Sequence, residues 1–243
     1  MHDGKMSFQS VARTHPGAVR PCNEDAVLQR AEAGIWAVSD GMGGHAAGDV
    51  ASTLVIDSLK ELTPTGDNFT SPDAVRDTLT RANGELYARG SSVSPDQTMG
   101  ATVTVLGVDA RNFFCLWAGD SRLYRFRSGR LTQLTRDHRY IQALIDSGLL
   151  DEEEAANHPR RSVITRAVGV DADLKLDLCE GGIEPGDVFL LMTDGVSGVC
   201  KDDEIADILS RHGLEEAADR IVERCLQHGA PDNLSLVLVA AKS

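Results

Sequence analysis

Apolar positions recur along the chain with two different periods. Between 50 and 62, Ala51, Leu54, Val55, Ser58, Leu59 and Leu62 fall at i, i+3, i+4, i+7, i+8 and i+11. Between 72 and 89, Val75, Leu79, Ala82 and Leu86 line one helical face, with Ser71 placed to cap the helix and Pro72 at its first position. Each stripe predicts a helix lying on a sheet. Short β-branched or aromatic runs bounded by Gly, Asp or Asn predict strands at 35–39, 101–108, 112–118, 122–126, 188–193 and 234–240. The runs 101–108, 112–118 and 122–126 follow one another with short connections, which predicts an antiparallel meander. S-G-R at 128–130 predicts a hairpin turn after the last of them. Two later helices are marked by Ile205, Ile208 and Leu209, and by Leu214, Ala217, Ala218, Ile221, Val222, Cys225 and Leu226. Strands, helices, strands, helices and a final strand predict an α+β layered fold rather than alternating βαβ units. The segment 138–162 interrupts the strand series. It reads as two short helices joined at Gly148 and ending in His158-Pro159, a candidate flap over about 138–165. Asp151 to Glu154 suit the acidic first turn of the second short helix.

No linker, low-complexity tract or repeat divides the 243 residues, so one domain is expected over 1–243, with its core at about 7–240. There are 24 Lys and Arg against 37 Asp and Glu, a formal charge of −13. That balance, with 11 aromatic residues (2 Trp, 3 Tyr and 6 Phe), argues against a nucleic-acid binder, which needs a basic face or stacking platforms. No run approaches the ~20 apolar residues of a membrane span, and MHDGKMSFQS lacks the hydrophobic stretch of a secretory signal. Cys22, Cys115, Cys179, Cys200 and Cys225 are odd in number and form no C-x-x-C pair. They read as incidental thiols in a reducing cytoplasm rather than a disulfide framework or zinc site.

The informative recurrence is aspartate at strand ends. Asp40-Gly41 follows W-A-V-S, Asp120 follows C-L-W-A-G, Asp194-Gly195 follows V-F-L-L-M-T, and Asp232 precedes N-L-S-L-V-L-V. Any single Asp-Gly reads as an ordinary turn, and spacing alone does not bring the four together. If they meet, their mutual repulsion calls for a cation, and oxygen ligands without His or Cys select a hard ion such as Mg²⁺ or Mn²⁺. D-G-M-G-G-H-A-A-G-D (40–49) supplies glycines for close backbone approach, but no lysine of a phosphate-binding loop. His45 reads as a helix-terminal or core histidine, or as a proton donor beside the acids. Arg20 lies near Glu24 and Asp25, either as a surface ion pair or as a guanidinium fork for phosphate beside acids that hold water.

The ordered set R-P-C-N-E-D (20–25), D-G-M-G-G-H-A-A-G (40–48), M-G-A-T (99–102), G-D-S-R (119–122), T-R-D-H (135–138), H-P…V-I-T-R-A-V-G (158–169), T-D-G (193–195) and D-N-L-S (232–235) resembles the bacterial branch of the metal-dependent serine/threonine phosphatases of type 2C. Any one motif is weak; eight in order over about residues 7–240 are specific. The resemblance implies a four-layer α-β-β-α sandwich of two antiparallel sheets flanked by antiparallel helix pairs. It implies Asp40 bridging two Mn²⁺ or Mg²⁺ ions, the Gly41 carbonyl on one, and Asp194 and Asp232 on the other. Glu24 and Asp25 act on the metals partly through water, and Asp120 with Asp194 holds a third ion. Arg20 binds the substrate phosphate and His45 acts as general acid. Water activated between the two ions then attacks phosphorus in line, with no phosphoenzyme. Expected partners are phosphorylated proteins, a Ser/Thr kinase and its targets; a monomer is expected.

The chain departs from many such relatives in having Arg139 where they have Ser after T-x-D-H. Together with Arg160 and Arg161 it makes the flap side basic. Cys22, two residues from Arg20, reads as an inert thiol or an oxidation site. The alternatives are a non-catalytic phosphatase-like binding module, which would bind partners whatever the state of the acids, and a metal-dependent phosphodiesterase, which the acidic surface and few aromatics disfavour.

Overall fold

Inside the continuous apolar runs, odd and even positions go to different cores, because both faces of the central strands are covered. A computed structural model describes residues 6–43, 47–64, 70–93, 99–109 and 111–242. In chain order its elements are β1 (Ser7–His15), β2 (Asp25–Arg30), β3 (Ile35–Met42), α1 (Ala47–Lys60), α2 (Pro72–Val93), β4 (Gly100–Ala101), β5 (Val103–Val108), β6 (Asn112–Ala118), β7 (Arg122–Arg127), β8 (Arg130–Gln133), α3 (Tyr140–Asp146), α4 (Glu152–Ala156), β9 (Asp177–Gly182), β10 (Val188–Met192), α5 (Asp194–Ser197), α6 (Asp202–Arg211), α7 (Leu214–Gln227) and β11 (Leu234–Lys242).

Two antiparallel sheets result, with strand orders β1-β11-β10-β7-β8 and β2-β3-β5-β6-β9, and with β4 pairing β3. Ile35, Ala37, Val103, Val105, Phe114 and Leu116 pack beneath α1 and α2, against Val55, Leu59, Val75, Leu79 and Leu86. The alternate residues Trp36, Val38, Leu106, Phe113, Cys115 and Trp117 meet Leu123, Phe189, Leu191, Val237 and Val239 between the sheets. The other face of the second sheet, Leu190, Met192, Leu236 and Leu238, is covered by Ile205, Ala217, Ala218, Ile221 and Cys225 of α6 and α7. The four-layer α-β-β-α sandwich expected from the motifs is therefore the observed architecture, held by three separate apolar layers.

The helix signals hold in detail. Ser71 Oγ accepts the Ala74 N–H at 3.2 Å, capping α2. Asp151 and Glu154 close a reciprocal capping box on α4. Ser128 and Gly129, at φ 51° and 79°, form the two-residue turn joining β7 to β8. The meander is corrected: β5 pairs β6, but β7 leaves for the other sheet and pairs β10 and β8. The chain crosses over at Gly119, whose φ of 113° suits glycine and whose missing Cβ would lie 2.6 Å from the Thr102 side chain. The run 101–108 also divides at Thr102, where β4 pairs with Gly41 and Met42 while β5 continues along Ile35–Val38.

Two glycines make opposed predictions. A Cβ on Gly195 would sit 1.9 Å from the Asn233 carbonyl oxygen, whereas one on Gly84, exposed within α2, meets nothing within 4 Å. Gly195→Ala is expected to cost at least ~2 kcal/mol, lowering Tm by ~5 °C or more. Gly84→Ala is expected to gain ~1 kcal/mol from helix propensity. Thermal melts of the two variants check both signs.

Candidate metal centre

The acids from distant parts of the chain meet at one end of the sandwich, because the strands that carry them end side by side. Asp25 opens β2 and stands directly opposite Asp40 of β3 in the antiparallel register. Asp194 begins α5 immediately after β10, and Asp232 lies just before β11, which pairs β10. Asp120 sits in the crossover between β6 and β7 and is 1 % exposed. Asp40 feels the charges of Asp25, Asp194, Asp120 and Asp232 together. The four strand-end aspartates and Asp25 are one cluster.

Backbone and neutral side chains fix their positions. The Asp40 N–H donates to Thr102 Oγ1 at 3.0 Å, and the Thr102 N–H donates to the Asp40 carbonyl at 2.8 Å. Thr193 Oγ1 donates to Asp25 Oδ2 at 2.9 Å, so the residue before Asp194 holds the acid from β2. Asn233 ties the loop before β11 to the β1–β2 loop at three points: its Oδ1 accepts the Glu24 N–H at 2.8 Å, and its Nδ2 donates to the Pro16 and Cys22 carbonyls at 2.9 Å each. Gly41 and Gly48 serve close packing. A Cβ on Gly41 would lie 1.9 Å from the Gly48 carbonyl oxygen, and one on Gly48 would meet the Glu24 carboxyl at 2.8 Å. Thr102, Thr193 and Asn233 were not singled out as site residues in the sequence. Their signal was adjacency: each neighbours or lies within the Gly-Ala-Thr, Thr-Asp-Gly and Asp-Asn motifs.

Electrostatically the cluster is under stress. Burial pushes the Asp25 carboxyl up to about 7; hydrogen bonds from Ser235 and Thr193 oppose the rise, and Asp194 and Asp232 add to it. Burial and the Asp120 charge push Asp194 up to about 6, against the pull of Arg139. Burial, then the four neighbouring acids, raise Asp40 well above the usual carboxylate range. Burial and Asp49 raise Glu24. Asp25 Oδ1 and Asp120 Oδ1 are buried without a hydrogen-bond partner.

Two arginines answer part of the negative charge. Arg20 Nη2 donates to Asp232 Oδ2 at 2.7 Å, so its partner is Asp232 rather than Glu24 or Asp25. Arg139 Nε donates to Asp120 Oδ2 at 2.6 Å, and its Nη2 to Asp194 Oδ2 at 3.1 Å. Burial would weaken the Arg139 charge, but Asp120, Asp194 and Asp137 hold it protonated. Among the described residues, no three His, Cys, Asp or Glu side chains stand in metal-ligating geometry. Cys22 is exposed. His45 lies outside the described residues. Arg160 and Arg161 are exposed after α4, with the Arg160 guanidinium 5.4 Å from the Tyr140 ring centre.

A carboxyl whose pKa is higher in the fold than in the unfolded chain stabilises the fold only while it is protonated. Without metal, the contribution of Asp25 and Asp194 is therefore fully present below about pH 4 and is lost as pH rises to about 7 and about 6, at ~1.4 kcal/mol per unit for each group. Asp40→Asn is expected to raise the Tm of chelator-treated protein at pH 8 by ~5 °C and to change it little at pH 4. Melts across that range, with and without Mn²⁺, check the sign.

Comparison with known proteins gives the family. The protein phosphatase 2C model matches residues 15–239. The serine/threonine protein phosphatase PstP of Mycobacterium tuberculosis is 40 % identical over 232 residues, 93 % of this chain; the chain spans only 44 % of the length of that relative. The serine/threonine phosphatase stp of Listeria monocytogenes is 32 % identical over 235 residues, 93 % of each protein. Among solved structures, PppA of Pseudomonas aeruginosa superposes with a TM-score of 0.88 at 39 % identity, covering 97 % of this chain and 98 % of that one. The catalytic domain of PstP in complex with two manganese ions superposes with a TM-score of 0.87 at 33 % identity, covering 98 % and 100 %. The chain belongs to the protein phosphatase 2C family.

Proposed function

We propose that this chain is a metal-dependent protein serine/threonine phosphatase that removes phosphate from phosphoserine and phosphothreonine, reversing a Ser/Thr kinase. The observation that carries the reading is the convergence of Asp25, Asp40, Asp120, Asp194 and Asp232, from five separate strand ends, within reach of one another's charge. The donor set fits hard divalent cations: it is all oxygen, holds no His or Cys, and keeps unpartnered buried carboxylate oxygens on Asp25 and Asp120. Asp40, the Gly41 carbonyl, Asp194 and Asp232 are assigned to a pair of Mn²⁺ or Mg²⁺ ions, with Glu24 and Asp25 behind them. When bound, such a pair would supply Lewis acidity for the phosphoryl oxygens and would lower the pKa of water at the site towards neutral.

The protein's own residues do the rest. Thr102, Thr193 and Asn233 tether the segments that carry the acids through the hydrogen bonds described above, which limits how far those segments can move. Arg20, with 52 % of its side chain exposed, stands at the rim beside Asp232 and is assigned to bind and orient the phosphoryl oxygens. His45 is assigned to protonate the departing Ser or Thr oxygen. Five free cysteines fit a reducing compartment, and we place the reaction in the cytoplasm, on a monomer. Among the described residues no helix is long and apolar enough to cross a membrane.

Purified protein is expected to hydrolyse a phosphothreonine peptide and an aryl phosphate monoester with Mn²⁺ or Mg²⁺, and to stop on addition of chelator. A phosphodiester should remain intact. Asp40→Asn should abolish turnover with the fold retained, and Arg20→Ala should lower kcat/KM ~10-fold or more, mostly through KM. Hydrolysis that survives complete metal removal would refute the proposal.

A further inference from the structure

We propose that the Arg139 guanidinium is a resident cation of the acid cluster, occupying the position between Asp120 and Asp194, so that this chain takes up two divalent ions and not three. The inference rests on the metal reading above and corrects one part of what the motifs imply, the third ion on Asp120 and Asp194.

The contact is a built one. Arg139 uses its planar fork across two carboxylates, Nε to Asp120 and Nη2 to Asp194, at 2.6 and 3.1 Å. Its side chain is 19 % exposed and that of Asp120 is 1 % exposed, so the pair is withdrawn from water. The nearest rival acid is already taken: Asp137 receives both arms of Arg122, at 2.9 and 2.7 Å, and stays 3.9 Å from Arg139. The backbone on either side is pinned. The His138 N–H donates to the Gly119 carbonyl at 2.9 Å, and the Gly119 N–H donates to His138 Nδ1 at 3.1 Å. The His138 ring stacks on Trp117, and the Tyr140 N–H donates to the Val163 carbonyl at 2.9 Å. The residue before Asp120 and the residue before Arg139 are thus joined by two hydrogen bonds, which sets the guanidinium against that carboxyl. This is not the placement of a loose surface arginine.

Charge counting points the same way. The five aspartates against Arg20 and Arg139 leave three uncompensated negative charges, and Glu24 makes four. Two divalent ions bring four positive charges and close the balance. A third ion has to displace the guanidinium from Asp120, which would leave that arginine buried without its partner.

The test counts ions rather than turnover. The full chain is stripped with chelator and titrated with Mn²⁺, and bound ions are read by native mass spectrometry and by electron paramagnetic resonance. Wild type is expected to saturate at two ions and Arg139→Ser at three. Asp120→Asn, made in the wild-type chain, is expected to keep the count at two ions while its Tm falls, because Arg139 loses its buried partner. This second variant keeps the proposal falsifiable if Arg139→Ser does not fold. Three ions on wild type, or a count that drops when Asp120 is changed, would overturn the inference and leave the phosphatase reading standing. A wild-type chain that takes up no Mn²⁺ would overturn both.

Discussion

Five carboxylates gathered at one end of a β-sandwich repel one another, and the molecule is arranged around that repulsion. Nothing in the three apolar layers requires the acids to be there; the layers only make the strands end together. What the sheets supply is rigidity, which lets a disfavoured arrangement persist. Asp25 and Asp40 are locked in register by the β2–β3 ladder, and Asp194 and Asp232 flank β10 and β11, which pair with each other. The stress shows as raised proton affinity at Asp25, Asp40 and Asp194. It is relieved by whichever positive charge is at hand: a proton, a guanidinium or a metal ion.

The two arginines differ in how they meet that demand. Arg20 is at the rim and half exposed, so its bond to Asp232 is readily exchanged for another anion. Arg139 is enclosed, anchored through its neighbours, and shared between two acids. One guanidinium is available to a ligand, and the other is part of the wall. The neutral groups have a comparable division of labour. Thr193, at the N-terminal end of α5, gives its hydroxyl to Asp25 instead of capping its own helix, so local helix stability yields to the geometry of the site.

How far the chain was legible from its letters depended on burial. The inner strands, covered on both faces, are continuous apolar runs, and they were read close to their true limits. The strands overlooked, β1, β2 and β9, are all at sheet edges, where half-exposed polar residues break the pattern. The path of β7 was misread because short connections suggest neighbours in one sheet, while a single positive-φ glycine sends the chain into the other. The aspartates stood out individually, but their meeting was not contained in any spacing and came from the order of motifs. Arg139 stood out as a departure and was assigned to a basic flap surface. Its true direction, inward, is set by hydrogen bonds between His138 and Gly119 that no periodicity encodes.

The position of β11 has its own consequence for how the molecule comes into being. This strand lies between β1 and β10, running antiparallel to both, and Ser7 pairs with Lys242. The loop bearing Arg20 is likewise stitched to Asn233. During synthesis on the ribosome, the first strand must wait unpaired until β11 has emerged. A polypeptide that stops short of β11 therefore lacks the strand that closes this sheet and the residues that tie the Arg20 loop to it.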